Sequence, residues 1–508
     1  MKITSTIDKI KAEKNDIYAV FAVTFIVLMA INGFFFMGFS FGHDSWDIAI
    51  YKKEIYRDIR CSMGRSLSFF INDIFYYNLN LPWLLGILEC INISLLSLIV
   101  IKVIQIKTKF YQLIVSIIIG SSMSIISINC FIQECGVFTL GILLATCGAY
   151  FLSKDRIKDY IIGSLITTLS LELYQAHFAL AFSLCALILF KDILSDDFDT
   201  KNIILKAIKL LISLGIAMIL YIISWEIMLK ITGIERTSYL GMNRLGIGAI
   251  KKLPRLIIPT YEYAVKELFL PGFRSYIPIY LTVMNIIMSV SAVYLAVKSI
   301  LKKSNKRFQI LFFAILILAL PLIIFFNYII SFGSSETLPL KFSFVVVPIL
   351  IIYIMYLNDH KIVRVLSALF AFIIFINSFV GGNVVSAKKR YEYENGMAFA
   401  NQIISRIQNE PGFAPNKKIM FIGGEPEIKP YSRDFRWCDN VEGANISQSM
   451  NNYVTTMAFI RRFSPLTEVL ANDPKYMRHE KVLALDLFPA HNCVTVIDDI
   501  YIIRLANW

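Results

Sequence analysis

The sequence predicts a polytopic α-helical membrane protein with about eleven membrane-spanning helices and a small C-terminal α/β domain. Three observations carry this prediction. The first is composition. Of 508 residues, 56% are hydrophobic and only 17% are charged, against about 25% charged in a soluble domain. Mean hydropathy is +0.63. The second is a series of apolar runs of bilayer length. The third is the way basic residues alternate between the loops that join those runs.

The runs lie at 17–41, 82–101, 111–129, 136–152, 160–171, 177–190, 204–231, 277–300, 308–330, 342–357 and 363–380. The N-terminus carries Lys2, Lys9, Lys11 and Lys14. Alternate loops carry Lys102 and Lys107, Lys154 and Arg156, Lys201 and Lys206, Lys302 and Arg307, and Lys361 and Arg364. All fall on one side if 160–190 forms two spans with a tight turn near Gln175; a single span there breaks the alternation. The positive-inside rule makes that side cytoplasmic, so the N-terminus is expected inside and residues 381–508 outside. The net charge of +13 is then a property of cytoplasmic loops and implies no nucleic-acid partner. The first run is longer than a signal-peptide core and no small-x-small site precedes Asp44, so it is expected to stay as an anchor.

The chain divides into two units. Residues 1–380 form the transmembrane module, with outer loops at 42–81 and 233–276. In the first loop, Ile55 and Ile59 and then Leu67, Phe69 and Phe70 recur at helical spacing, which predicts helices lying in the headgroup plane. Residues 381–508 form the outer domain. A helix is expected over 394–408, with Met397, Ala400, Ile403, Ile404 and Ile407 on one face. Strands are expected at 418–422, 482–487 and 494–497, the last turning through Asp498 and Asp499 into 501–504. Gly423 and Gly424 read as a structural turn, because a lone glycine pair lacks the fuller nucleotide fingerprint. Of eight cysteines, Cys438 and Cys493 are the pair in this domain, where an oxidising compartment permits a disulfide between them.

The polar residues with chemical potential gather at the outer ends of the spans. The first outer loop holds Asp44 and Asp47, then Arg60 and Arg65. A carboxylate there can take the proton of a hydroxyl nucleophile, and arginines can bind a phosphate with two prongs. The plainer alternatives are a helix cap for the acids and headgroup anchoring for the arginines. Glu134 follows the third span, and Glu172, Tyr174, Gln175 and His177 fill the turn between the fifth and sixth. Lys341, at the mouth of a span, is placed to meet a lipid phosphate or merely to snorkel. Such a set suits transfer of a sugar from a lipid phosphate. The acids supply the base, the cations stabilise the departing phosphate, and no nucleotide site is needed.

Three stretches, HDSWD at 43–47, MGRSLSFF at 63–70 and LSLELYQAHFAL at 169–180, together with the architecture, resemble the serotype-converting O-antigen glucosyltransferases. The resemblance covers most of the chain and implies a GT-C-type fold in a bacterial inner membrane. It implies undecaprenyl-phosphate glucose as donor and a lipid-linked O-antigen repeat as acceptor, in the periplasm, with no metal or other cofactor. It also implies dependence on a separate donor-synthesising glycosyltransferase and on a flippase. Enzymes of that type carry a catalytic acid in the first outer loop, which points to Asp44 or Asp47, and commonly an arginine where Lys341 stands. Two other readings share the topology. A transporter or flippase of lipid-linked saccharide predicts internal repeats, of which none is seen, and ionisable groups at mid-bilayer, where Glu89 lies some way into its span and Glu226 near an end. An O-antigen polymerase predicts catalytic arginines in large outer loops.

Overall fold

A computed structural model describes residues 2–37, 53–76, 81–238, 253–269, 278–303, 306–331, 333, 338–415, 417–423, 438, 441, 443–444, 469–470 and 473–505. Asp44 and Asp47 lie outside the described residues.

The chain builds a helical bundle. The first helix, α1 (Lys2–Met37), leads to two short helices of the first outer loop, α2 (Lys53–Ser62) and α3 (Ser66–Tyr76). Then come α4 (Pro82–Ile104), α5 (Lys109–Gly120), α6 (Met123–Asn129), α7 (Ile132–Leu152), α8 (Ile157–Leu173), α9 (His177–Leu194) and α10 (Thr200–Thr232). The second half holds α11 (Leu253–Phe269), α12 (Ile279–Leu301), α13 (Lys306–Ile324), α14 (Phe326–Ile330), α15 (Val346–Leu357) and α16 (Lys361–Gln408). Among the described residues, ten helical segments are long and apolar enough to cross a membrane. The remaining expected span is α8, whose 17 residues rise about 26 Å, short of a hydrocarbon core of about 30 Å. It is nonetheless a helix separate from α9, as the turn near Gln175 predicted.

Three spans are interrupted along their length. The third divides into α5 and α6 at Ser121 and Ser122. The chain breaks again at Phe325, between α13 and α14. The span entered at Leu338 begins as a 3-10 helix, Leu338–Val345, in which Lys341 leaves helical geometry (φ −97°, ψ 17°) before α15 starts. A broken helix in an apolar medium must find other partners for its freed carbonyls. It does so here: Ser378 Oγ donates to the Ser121 carbonyl at 2.6 Å, and Ser343 Oγ to the Ile324 carbonyl at 2.9 Å.

The last span does not stop at residue 380. It runs on through α16, one helix of 48 residues, so the expected 394–408 helix is its far end. There Phe399, Ile403 and Ile407 are buried against Ile419, Val494, Tyr501 and Ile503 of a four-stranded sheet. Its strands are β1 (Lys418–Ile422), β2 (Val469–Leu470), β3 (Val494–Ile497) and β4 (Ile500–Arg504), in the order β2-β1-β4-β3. Strand β1 runs parallel to both neighbours, and β3 and β4 form an antiparallel hairpin. Asp498 and Asp499 turn it with φ of 50° and 59°, the left-handed pair that a two-residue hairpin requires.

Two expectations for this domain are corrected. The stretch 482–487 is not a strand: α18 (Glu480–Leu483), after the short α17 (Pro474–Met477), occupies its start. His479 Nδ1 accepts from the Lys481 amide and so caps a helical turn, and local capping outweighs the apolar run. Cys438 and Cys493 are not bridged; both are free and buried. Cys438 packs in the core of the bundle and Cys493 in the core of the sheet, so burial separates the thiols.

The lysine alternation sets an expected topology. Reporter fusions after Leu152 and Arg307 should give cytoplasmic signals, and fusions after Leu81 and Asn409 periplasmic ones. A cytoplasmic signal at Asn409 would put the sheet on the side opposite to the outer loops.

Candidate active site at the outer ends of the helices

The two outer-loop helices do not simply float on their apolar stripe. Ile55 is 44% exposed, whereas Tyr56 and Arg60, on the other face of α2, are 3% exposed. The buried polar face meets Glu134 in the first turn of α7. Arg60 Nη2 lies 2.5 Å from Glu134 Oε1, and the Tyr56 hydroxyl donates to the same oxygen. Burial, then the Glu134 charge, pushes the Tyr56 phenol well above its usual range. It therefore stays protonated and serves as a donor.

The elbow after α2 is tied down by its carbonyls. A helix C-terminus leaves its last C=O groups without intrahelical partners. Here Trp225 Nε1 donates to the Cys61 carbonyl at 2.9 Å, the Thr237 amide to that of Ser62 at 3.2 Å, and Gln175 Nε2 to that of Met63 at 2.9 Å. Gly64 turns the chain at φ 73°, and a Cβ there would run into Tyr221 and Trp225. Both the backbone angle and the close approach demand glycine.

The next residue, Arg65, lies over Tyr174, its guanidinium carbon 4.2 Å from the ring centroid. Tyr174 is stacked on its other side against Phe138 at 4.6 Å. Ser66 Oγ donates to Glu172 Oε2 at 2.6 Å. His177 Nδ1 lies 3.4 Å from the Ser170 carbonyl, and its ring fills the space a side chain on Gly141 would take. Thus Arg60, Arg65, Glu134, Glu172, Tyr174, Gln175 and His177 converge where α2 and α3 pack on α7, α8 and α10, beside the turn that leads into α9. His177 is held inward against α7 and α8, which makes it a support for the Tyr174 turn.

This region holds several buried polar atoms without a partner. Arg65 Nε, Glu134 Oε2, Glu172 Oε1 and the Tyr221 hydroxyl make no hydrogen bond among the described residues. Unsatisfied groups cost about 1–3 kcal/mol each, so native proteins keep them for a reason. A guanidinium, two carboxylates and a phenol in one region suit a hydroxyl-rich ligand that carries an anionic group. Among the described residues no group of His, Cys, Asp and Glu could hold a metal ion.

Lys341 lies apart from this cluster and is linked to it through Asn327. Asn327 Nδ2 donates both to the Ala176 carbonyl, beside the Tyr174 turn, and to the Leu340 carbonyl, at 3.0 and 3.2 Å. Lys341 Nζ lies 2.9 Å from Glu267 Oε1 of α11 and 4.9 Å from the Tyr263 ring centroid. Glu267 was missed from sequence because it reads as one more charge on an amphipathic loop helix. Tyr56 and Asn327 were missed because neither carries a motif. Glu89 is buried within α4 and accepts from Asn129 Nδ2 at 3.0 Å.

The Arg60–Glu134 pair is expected to hold the outer loop in place. Breaking a buried pair from one side strands the other charge and costs about 3–5 kcal/mol. Glu134→Ala should therefore lower the unfolding temperature in detergent and expose the α2–α3 elbow to protease. Unchanged protease resistance would show that the pair does not anchor the loop.

A sequence model of the family Glucosyl transferase GtrII matches residues 33–357, more than half of the chain. The match runs from α1 to the end of α15 and so takes in both polar clusters. No curated protein and no solved structure matches the chain. The resemblance to the serotype-converting O-antigen glucosyltransferases is borne out, and the chain belongs to the GtrII glucosyl transferase family as a membrane-embedded glucosyltransferase.

Proposed function

We propose that the protein transfers a glucosyl residue from undecaprenyl-phosphate glucose to a lipid-linked O-antigen repeat on the periplasmic face of the bacterial inner membrane. The observation that carries this reading is the convergence of Arg60, Arg65, Glu134 and Glu172 under the first outer loop of a GtrII family chain. On this reading an acceptor hydroxyl attacks the anomeric carbon. Asp44 or Asp47 takes its proton, and the sugar–phosphate bond breaks with its electron pair leaving on the phosphate. A phosphate leaves well without an acid, so the protein needs cations rather than a proton donor there. Arg65 is the best-placed of these. Its guanidinium carbon lies 4.2 Å over the Tyr174 ring, and a fork held in place gives up little entropy when it grips phosphate. Arg60 is committed to Glu134 and acts mainly by holding α2, while Glu172, Tyr174 and Gln175 line the sugar side. The donor is charged when made and must be carried across the membrane, so a donor-synthesising glycosyltransferase and a flippase act before this enzyme.

Two expected outcomes test the reading, both as transfer in isolated membranes supplied with undecaprenyl-phosphate glucose. Replacing the true base by asparagine should cost about 10²–10⁴ in rate while the protein stays inserted and abundant. Asp44→Asn is the first variant and Asp47→Asn the second, and normal rates in both would remove the first outer loop as the catalytic centre. Arg65→Lys should keep the charge and lose the stacked, two-pronged geometry, with a fall in kcat of at least about tenfold. A wild-type rate in Arg65→Lys would show that Arg65 does not touch the phosphate.

A further inference from the structure

Beneath Lys341, in the outer half of the bundle, a cavity opens between α5–α6, α12, α15 and α16. Glu267, Lys341, Ser121, Ser122 and Asn285 line it together with apolar residues such as Ile351, Phe370 and Ile374. Three features set it apart from an ordinary gap between helices.

Lys341 and Glu267 are each 4% exposed, and charges so deep in a membrane protein mark ligand paths by default. The backbone is broken where it lines the cavity, at Ser121–Ser122 and at Lys341 itself. Irregular backbone at membrane depth is tolerated where it lines such a space, and discontinuous helices build the binding sites of many membrane proteins. Ser121 Oγ, in the same wall, is 1% exposed and makes no hydrogen bond among the described residues.

A buried cation in the same cavity as apolar side chains fits an amphiphile: a phosphate joined to a hydrocarbon chain. We propose that this cavity receives the first prenyl unit of the lipid donor, with the donor phosphate at its rim shared between Lys341 and Arg65, and that Glu267 is a positioning residue for Lys341. This rests on the proposed lipid-phosphate donor. Without a ligand, an ammonium group this deep needs a counter-ion, and Glu267 supplies it and fixes the Nζ at the cavity rim. When the donor enters, its phosphate takes over as counter-ion and Glu267 yields its place. The ion pair is thus exchanged rather than broken, and the lysine never stands unpaired.

Exchange and a purely structural pair predict different behaviour. In Glu267→Gln the phosphate no longer competes with a carboxylate, so the variant should be less stable when empty and gain more from the ligand. The protein in detergent is heated with undecaprenyl phosphate, undecaprenol, phosphatidylglycerol or inorganic phosphate. Undecaprenyl phosphate should raise the unfolding temperature of the wild type, and raise that of Glu267→Gln further, because a ligand stabilises in proportion to its affinity for the folded state. The KM for the donor should fall in the same variant. A second variant, Lys341→Met with Glu267→Leu, replaces the pair by apolar groups and should fold. It should lose the thermal shift and at least about tenfold in kcat/KM.

An equal shift in wild type and Glu267→Gln, or wild-type transfer by the apolar pair, would show a structural salt bridge and overturn the proposal. A full shift from phosphatidylglycerol or from inorganic phosphate would make it a general anion site and also overturn it. A full shift from undecaprenol would reduce it to a chain groove, with the same result. If the wild type neither shifts with undecaprenyl phosphate nor transfers from the glucosylated form, the donor reading itself fails, and the assignment of this cavity with it.

Discussion

A guanidinium and a carboxylate almost without contact with water, Arg60 and Glu134, hold the first outer loop to the helical bundle. The pair closes a gap of 74 positions in sequence and joins a loop helix to the first turn of a spanning one. Neither charge can be removed alone without leaving the other in a medium that cannot solvate it. The elbow between α2 and α3 depends on this anchor. With α2 pinned, its terminal carbonyls reach Trp225, Thr237 and Gln175, and Gly64 turns tightly enough to lay Arg65 on Tyr174. The reactive groups are therefore set by an electrostatic fastening on one side of the elbow and by hydrogen-bonded backbone on the other.

The second theme is how the bundle handles broken helices. In lipid an unpaired carbonyl has no water to turn to. The breaks at Ser121, Ile324 and Leu340 are each stitched by a side chain from another segment: Ser378, Ser343 and Asn327. These stitches join distant parts of the chain, since Ser378 and Ser121 lie 257 positions apart. Asn327 does more, because its one amide holds both the turn before α9 and the backbone of the residue before Lys341. The two polar clusters are in this way mechanically linked. The sheet is carried differently. It sits on the end of α16, and Lys388 of that helix donates to the Ala444 carbonyl, tying the tail back to the rod.

Much of this was legible in the residues. Apolar length marked the spans, the alternating lysines argued for two helices over 160–190, and both are separate helices with a turn at Gln175. The expected site residues of 60–65, Glu134 and those of 172–177 do meet, from separate stretches of chain. The gaps and errors have identifiable causes. Ile55 and Ile59 predicted helices in the headgroup plane, and what they did not reveal is that the opposite, polar face of α2 is buried on Glu134. The run at 482–487 looked extended, and a histidine cap made it helical. The cysteines of the tail looked like partners only because no other pair lay in that domain, and the fold sends them to different cores.

By itself the sequence determined the class of protein, the positions of the spans and, through three short motifs, the family. These depend on hydropathy, charge and local spacing, which are properties of neighbouring residues. Only the tertiary structure decided which charge faces which. Arg60 and Lys341 both looked like cations awaiting a phosphate, yet one is fastened to Glu134 and the other to Glu267. Both partners are distant in sequence, and a buried charge selects its counter-ion by where the helices pack. No pattern along the chain records that choice, because it is made by the cost of leaving an ion alone in a medium of low polarity.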